Sequence, residues 1–287
     1  MSLTRRQFVK GIAAAGLVGV AGTSAYAGLV EPFDYELTET EVFLRDLPAA
    51  FEGFRIAQVS DVHHSSLVPA DEVRRVVELA RSARADCVVL TGDYTTASAK
   101  YIEPAAEILT TLTAPAGFFA VLGNHDHHTG EAATERALTR GGVAVLRNVN
   151  TRIARGGDEL QLVGIDDLSW NKTDWGSAFK GVERRRPSLL LSHQPSALDR
   201  AEAEGVSLIL SGHTHGGQVR FPFFGAPARL ISKDFKYLRG RFERAGTQLY
   251  VSRGTGVIGL PVRLGSRPEV AVIRLRRAPG ETTNAER

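Results

Sequence analysis

The chain has 287 residues, of which 43% are hydrophobic and 23% charged, with one cysteine and a formal net charge of +3. These values fit one large globular domain with a sizeable core, and Cys87 alone excludes an intramolecular disulfide. Residues 1–27 carry Arg5, Arg6 and Lys10 and no acid, which leaves 35 − 3 = 32 basic against 32 acidic residues, too even a balance for a nucleic-acid reader.

In chain order, the first feature is an address. Thr4-Arg5-Arg6-Gln7-Phe8-Val9-Lys10 matches the twin-arginine export signal residue for residue, and Ala25-Tyr26-Ala27 offers a small-residue cleavage site. Gly11, Gly16, Gly19 and Gly22 each weaken a helix by about 1 kcal/mol relative to Ala, which argues against a first helix of the domain. Residues 11–30 are uncharged and long enough to span a bilayer, but their modest hydrophobicity favours cleavage over an uncleaved anchor. The expected partner is the twin-arginine translocation machinery. The expected location is the periplasm, the cell wall or the outer face of the plasma membrane. The predicted layout is a signal at 1–27, a linker and first strand at 28–50, one domain at 51–277 and a polar tail at 278–287.

Strands are predicted at Val42–Leu47 and Arg55–Ser60. A helix opens at Pro69-Ala70-Asp71, with Val73, Val76, Val77 and Ala80 on one face. Strand Cys87–Leu90, helix Glu103–Leu112, strand Phe118–Leu122 and a helix capped at Thr129 and running through Arg140 follow. Thr151–Ala154 and Leu160–Val163 read as a hairpin. Leu189–Leu191, Leu208–Leu210, Leu249–Ser252 and Val270–Leu275 read as further strands. Strand–helix alternation in the first half predicts a mainly parallel sheet, whose ligands collect at the carboxyl ends of its strands.

Five polar clusters sit at those ends: Asp61-Val62-His63, Gly92-Asp93, Gly123-Asn124-His125-Asp126, His193 and Gly212-His213-Thr214-His215. Setting His125 aside for catalysis, they supply two aspartates, one asparagine and four histidines. Such oxygen and imidazole donors suit a pair of divalent transition ions, and a two-metal centre suits in-line displacement at phosphorus. His213 and His215 alternate, so an extended segment turns both rings the same way.

This order of boxes resembles the calcineurin-like metallophosphoesterase superfamily. The resemblance implies a four-layer α/β/β/α sandwich of two mixed sheets. It implies that Asp93 bridges two divalent ions (Mn, Zn or Fe), with Asp61, His63 and His215 completing one and Asn124, His193 and His213 the other. It implies a metal-bridging water as nucleophile, with His125 contacting a phosphoryl oxygen and protonating the leaving group. Asp126 is expected to orient the His125 ring. Purple acid phosphatases of the same superfamily place a tyrosine where Thr96 stands, so a purple ferric site is not expected. His64, His127 and His128 flank the boxes, either touching substrate or facing solvent from loops, and Asp166 and Asp167 are read as supports for the site rather than ligands.

The stretch from Gly212 to Pro222, with Ser252-Arg253-Gly254 and Gly259-Leu260-Pro261-Val262-Arg263, resembles the bacterial YkuE/YaeI-like branch. That branch includes exported envelope phosphoesterases and relatives associated with UDP-2,3-diacylglucosamine pyrophosphate cleavage in lipid A biosynthesis. The leading expectation is a phosphodiesterase acting on an envelope or lipid-linked phosphoester. Arg220, Phe223 and Phe224 would form a substrate-binding lip that can touch a membrane surface, or the phenylalanines simply pack the second sheet. A UDP-2,3-diacylglucosamine pyrophosphatase-like hydrolase and a non-catalytic metal-supported scaffold are the alternatives.

Overall fold

Patterned burial explains the architecture. Cys87–Thr91, Ser188–Leu191 and Leu208–Ser211 are buried at every position. Successive strand side chains point to opposite faces, so a continuous apolar run must be covered on both. Cys87 and Val89 enter a core between two sheets, while Val88 and Leu90 enter a core beneath helices. Leu189 and Leu191 against Leu190 repeat that division in the second half.

The structure, a computed structural model, describes residues 5–230 and 233–279. Its strands are β1 (Glu36–Leu44), β2 (Arg55–Val59), β3 (Cys87–Thr91), β4 (Phe118–Val121), β5 (Ala144–Val145) and β6 (Val149–Arg155). The others are β7 (Asp158–Gly164), β8 (Ser188–Leu191), β9 (Leu208–Ser211), β10 (Gly240–Arg244), β11 (Thr247–Val251) and β12 (Glu269–Arg277). The helices are α1 (Arg5–Leu29), α2 (Ala70–Ser82), α3 (Ile102–Leu109), α4 (Asn124–Arg140), α5 (Trp175–Ala178) and α6 (Leu198–Ala201).

One sheet runs β1-β12-β2-β3-β4-β5, antiparallel only between β12 and β2. The other runs β10-β11-β9-β8-β7-β6, antiparallel only at its two outer pairs. Helices α2, α3 and α4 cover the first sheet and α5 and α6 the second, giving the expected layers of helix, sheet, sheet and helix. In α2 the buried stripe Val73, Val76, Val77 and Ala80 faces the sheet, and Asp71, Glu72 and Arg81 complement the helix dipole.

Several predicted boundaries move. The first strand is Glu36–Leu44, not Val42–Leu47. It is an edge strand whose acidic side chains stay in solvent, so its first half carries no apolar alternation; Glu39 and Glu41 pair with Arg274 and Arg276 of β12 at 2.9 and 2.6 Å. The stretch read as a linker is tied to the body, because buried Glu31 accepts the Ser266 amide at 2.6 Å. Helix α4 begins at Asn124 rather than at Thr129 and bends at Gly130 (φ 139°). Thr129 is therefore inside it, its hydroxyl donating to the His125 carbonyl at 2.9 Å.

Residues 5–29 are helical despite their glycines. Of residues 16–29 only Ala27 is buried, so packing holds little more than the last turn. Among the described residues no helix is long and apolar enough to cross a membrane. Thr4 of the twin-arginine box and residues 280–287 of the polar tail lie outside the described residues.

Candidate metal centre

The carboxyl ends of β2, β3, β4, β8 and β9 converge, and the residues just beyond them carry all five polar clusters. Backbone bonds join the loops: the Asp61 amide donates to Gly92 O and the His63 amide to Asp93 O, both at 3.0 Å. Asp61, His63, Asp93, His213 and His215 all adopt positive φ, between 51° and 72°. Such backbone costs about 1–3 kcal/mol per residue and persists only where the surroundings enforce it. Gly92 (φ 93°) is required for a second reason: a Cβ there would lie 2.6 Å from the Gly123 amide nitrogen and 2.7 Å from His193 Nδ1.

Two donor groups meet at Asp93. On one side, His63 Nε2 lies 3.0 Å from His215 Nε2 and 3.6 Å from Asp93 Oδ2, and His215 Nε2 lies 3.6 Å from Asp61 Oδ1. On the other, His193 Nε2 lies 3.1 Å from Asp93 Oδ2 and 3.2 Å from Asn124 Oδ1. His213 Nδ1 lies 3.0 Å from Asn124 Oδ1 and 3.3 Å from His193 Nε2. Ring nitrogens this close to one another and to carboxylates could hold metal ions, in groups that meet at Asp93. The seven donors thus fit two divalent ions. His125 also groups with His63 and Asp93, and its ring stands edge-on to His63 at 4.9 Å. Asn124, His125 and His213 are half-buried, which marks the open face, whereas Asp61, His63, Asp93 and His193 are buried.

Surrounding groups set the tautomers. His193 Nδ1 lies 2.7 Å from the Thr91 carbonyl, to which it can donate only as N–H, leaving Nε2 free to bind a cation. The Thr96 hydroxyl sits against His63 Nδ1 in the same role. Burial works against an ionised Asp93, but His193, His63 and His125 outweigh it and hold its pKa well below the usual carboxylate range. Burial likewise opposes a charged His193, yet Asp93 lifts it to about 10. Burial raises Asp61 to about 6, lowers His63 to about 3 and lowers His215 well below the ordinary imidazole value. His63 and His215 are therefore neutral, the form that ligates a metal.

Asp126 corrects an expectation. Its oxygens accept the amides of Asp93 (2.7 Å), Tyr94 (2.9 Å) and Gly123 (2.9 Å) rather than orienting the His125 ring. It clamps the backbone that presents Asp93 to the start of α4. Burial raises its pKa to about 7. His64 and His127 are not open loop residues: His64 is buried against Tyr101, and His127 lies 2.7 Å from Asp166 and stacks on Trp170. His128 is exposed. Asp167 accepts the Trp170 amide at 3.0 Å and bonds Gln194, the neighbour of His193. Arg220, Phe223 and Phe224 stand outside the donor cluster, on the loop after His215, with both phenylalanines fully exposed.

Three residues were not assigned roles from sequence. Trp170 Nε1 donates to the Asn124 carbonyl at 3.2 Å. Arg263, fully buried, donates to the carbonyls of Arg253, Gly256 and Ser266 behind His215. Thr96 supports His63; its only sequence signal was its place three residues after Asp93. Thr96→Ala is expected to weaken metal affinity about 10–100-fold, the usual cost of losing a partner behind a ligand. Metal titration followed by calorimetry checks this, and unchanged affinity would remove Thr96 from the site.

Comparison with known proteins agrees with this geometry. Residues 54–217, more than half the chain, match the family model described as calcineurin-like phosphoesterase. The chain is 34% identical over 283 residues to the uncharacterized metallophosphoesterase YkuE of Bacillus subtilis (strain 168), covering 96% of this chain and 98% of that one. It is 31% identical over 281 residues to the phosphodiesterase YaeI of Escherichia coli (strain K12), covering 95% and 99%. It is 33% identical over 260 residues to a bovine transmembrane protein with a metallophosphoesterase domain, covering 85% of this chain and 57% of that one. The matched segment takes in every donor from Asp61 to His215, and the chain belongs to the calcineurin-like phosphoesterase family.

Proposed function

We propose that the protein is an exported phosphodiesterase acting on amphiphilic, lipid-linked substrates at a membrane surface. The observation that carries the lipid link is the loop following His215, where Phe223 and Phe224 are 105% and 90% exposed. Leu230 and Leu260 are also exposed. Exposed aromatic side chains on the loop after a metal-centre histidine invite a partner, because burying apolar surface gains about 25 cal/mol per Å². The similarity to the phosphodiesterase YaeI supports a diester over a monoester. Export rests on the twin-arginine box around Arg5 and Arg6.

Two divalent cations, when bound, supply Lewis-acid stabilisation of phosphoryl oxygens and acidify water. The chain's own residues do the rest. Asp93 and its neighbours fix the donor positions on a strained, buried backbone, so little reorganisation is needed on substrate binding. His125 stands at the open face, its amide held by Asp93 Oδ1 at 2.8 Å, and its ring is placed to give a proton to the leaving oxygen. Trp170, about half exposed, walls the same face.

The test uses the full chain loaded with Mn. Hydrolysis of bis-p-nitrophenyl phosphate should exceed that of p-nitrophenyl phosphate, and Phe223→Ser with Phe224→Ser should weaken liposome co-sedimentation while leaving the melting temperature unchanged. Monoester preference would overturn the diesterase assignment. Unchanged liposome binding would overturn the lipid link.

A further inference from the structure

A groove of about 750 Å³ opens along the loop that follows His215. Thr23 of α1, Arg220, Phe221, Phe223, Arg239 and Leu264 line it. Arg239 reaches the centre's edge: a Cβ on Gly216, the residue after His215, would lie 3.4 Å from Arg239 Cδ. Gly265 joins the two arginines. Arg239 Nη1 donates to its carbonyl at 2.9 Å, and its Cβ position would lie 3.4 Å from Arg220 Cβ.

Among the described residues neither guanidinium makes a direct ion pair, although Glu36 and Glu269 stand near Arg239. Among the described residues, nearby Arg253 pairs with Glu36 and Glu269, and Arg267 pairs with Asp34 and Glu36. No ion pair there includes Arg220 or Arg239. Burial depresses the Arg239 pKa first, and the like charges of Arg220 and Arg253 add to it, against a smaller opposing pull from Glu269 and Glu36. Two neighbouring arginines with no carboxylate in direct contact can take a phosphate, which guanidinium groups bind through paired, charge-assisted hydrogen bonds. The rest of the lining is apolar, with Phe221 and Phe223, and it continues along Val219 and Val262.

We infer that Arg220 and Arg239 form a subsite for a second, non-scissile phosphate on an alkyl- or acyl-bearing phosphodiester, whose chain follows the apolar wall along Phe221, Val219 and Val262. This rests on the phosphodiesterase reading of the metal centre. It narrows the substrate class to amphiphiles carrying an additional phosphate near the ester that is cleaved.

Two p-nitrophenyl alkyl phosphodiesters test it on the full, Mn-loaded chain. They share one alkyl chain; one bears a phosphate and the other a hydroxyl on the carbon next to the ester-bearing carbon. The phosphate-bearing ester should show a KM at least about tenfold lower, the order expected for new charge-assisted hydrogen bonds. Arg220→Gln with Arg239→Gln should erase that preference, and Arg220→Lys with Arg239→Lys should restore part of it. Equal KM values in the natural protein, or a preference that survives both glutamines, would overturn the subsite. If neither ester is cleaved, the phosphodiesterase reading fails separately. Calorimetry with the alkyl bisphosphonate and the alkyl monophosphonate then decides the subsite. Tighter binding of the bisphosphonate that Arg239→Gln abolishes supports it, and equal binding overturns it.

Discussion

Asp93→Asn is expected to disable both halves of the metal centre and to lower phosphoester hydrolysis by about three decades or more, since the Lewis-acid contribution is several kcal/mol and each 1.36 kcal/mol is tenfold. Asp93 is the one carboxylate that faces donors on both sides, 3.1 Å from His193 Nε2 and 3.6 Å from His63 Nε2. Asparagine keeps its shape but removes the charge that holds His193 protonated in the absence of cations and that would bridge the cations in their presence. Metal content by elemental analysis and turnover of bis-p-nitrophenyl phosphate are the readouts. Loss of both metals with activity supports the bridge. Retention of both metals would move that role elsewhere.

His125→Ala is expected to lower kcat by about 10²–10⁴-fold, the range for a positioned general acid, while both metals stay bound. His125 lies close enough to His63 and Asp93 to group with them as a donor, so activity alone cannot assign it. Metal content separates the roles. Metal lost together with turnover would make His125 a ligand. Metal retained with a steep loss of kcat, and a smaller loss with substrates whose leaving group needs no proton, assigns it to leaving-group protonation.

Much of this architecture was legible because its determinants are local. Cys87–Thr91 and Leu208–Ser211 are short apolar runs of buried-strand length, and each ends where a polar cluster begins. Edge strand β1 was half hidden, because a strand open to water carries glutamates at the very positions where a buried strand carries valines. Helix α1 was discounted on the intrinsic cost of glycine, a cost that lowers helix stability without forbidding a helix.

The candidate donors were legible in the sequence, from five polar boxes and the family they resemble. Asp61, His63, Asp93, Asn124, His193, His213 and His215 each lie beyond a strand, β2, β3 and β4 of one sheet and β8 and β9 of the other. Tertiary structure alone decided what the neighbouring groups do. Asp126 is adjacent to His125 in sequence but turns its oxygens to amides 32 and 33 residues away, because the left-handed backbone at Asp93 leaves those amides in need of acceptors. Thr96 reaches His63 only because β2 and β3 lie side by side. Arg220 and Arg239 become one cationic subsite only when the loop after His215 folds against Gly265. Donor chemistry belongs to a residue and can be read from a string of letters. Direction, burial and the sharing of a charge belong to pairs of residues, and those pairs exist only after the chain has folded.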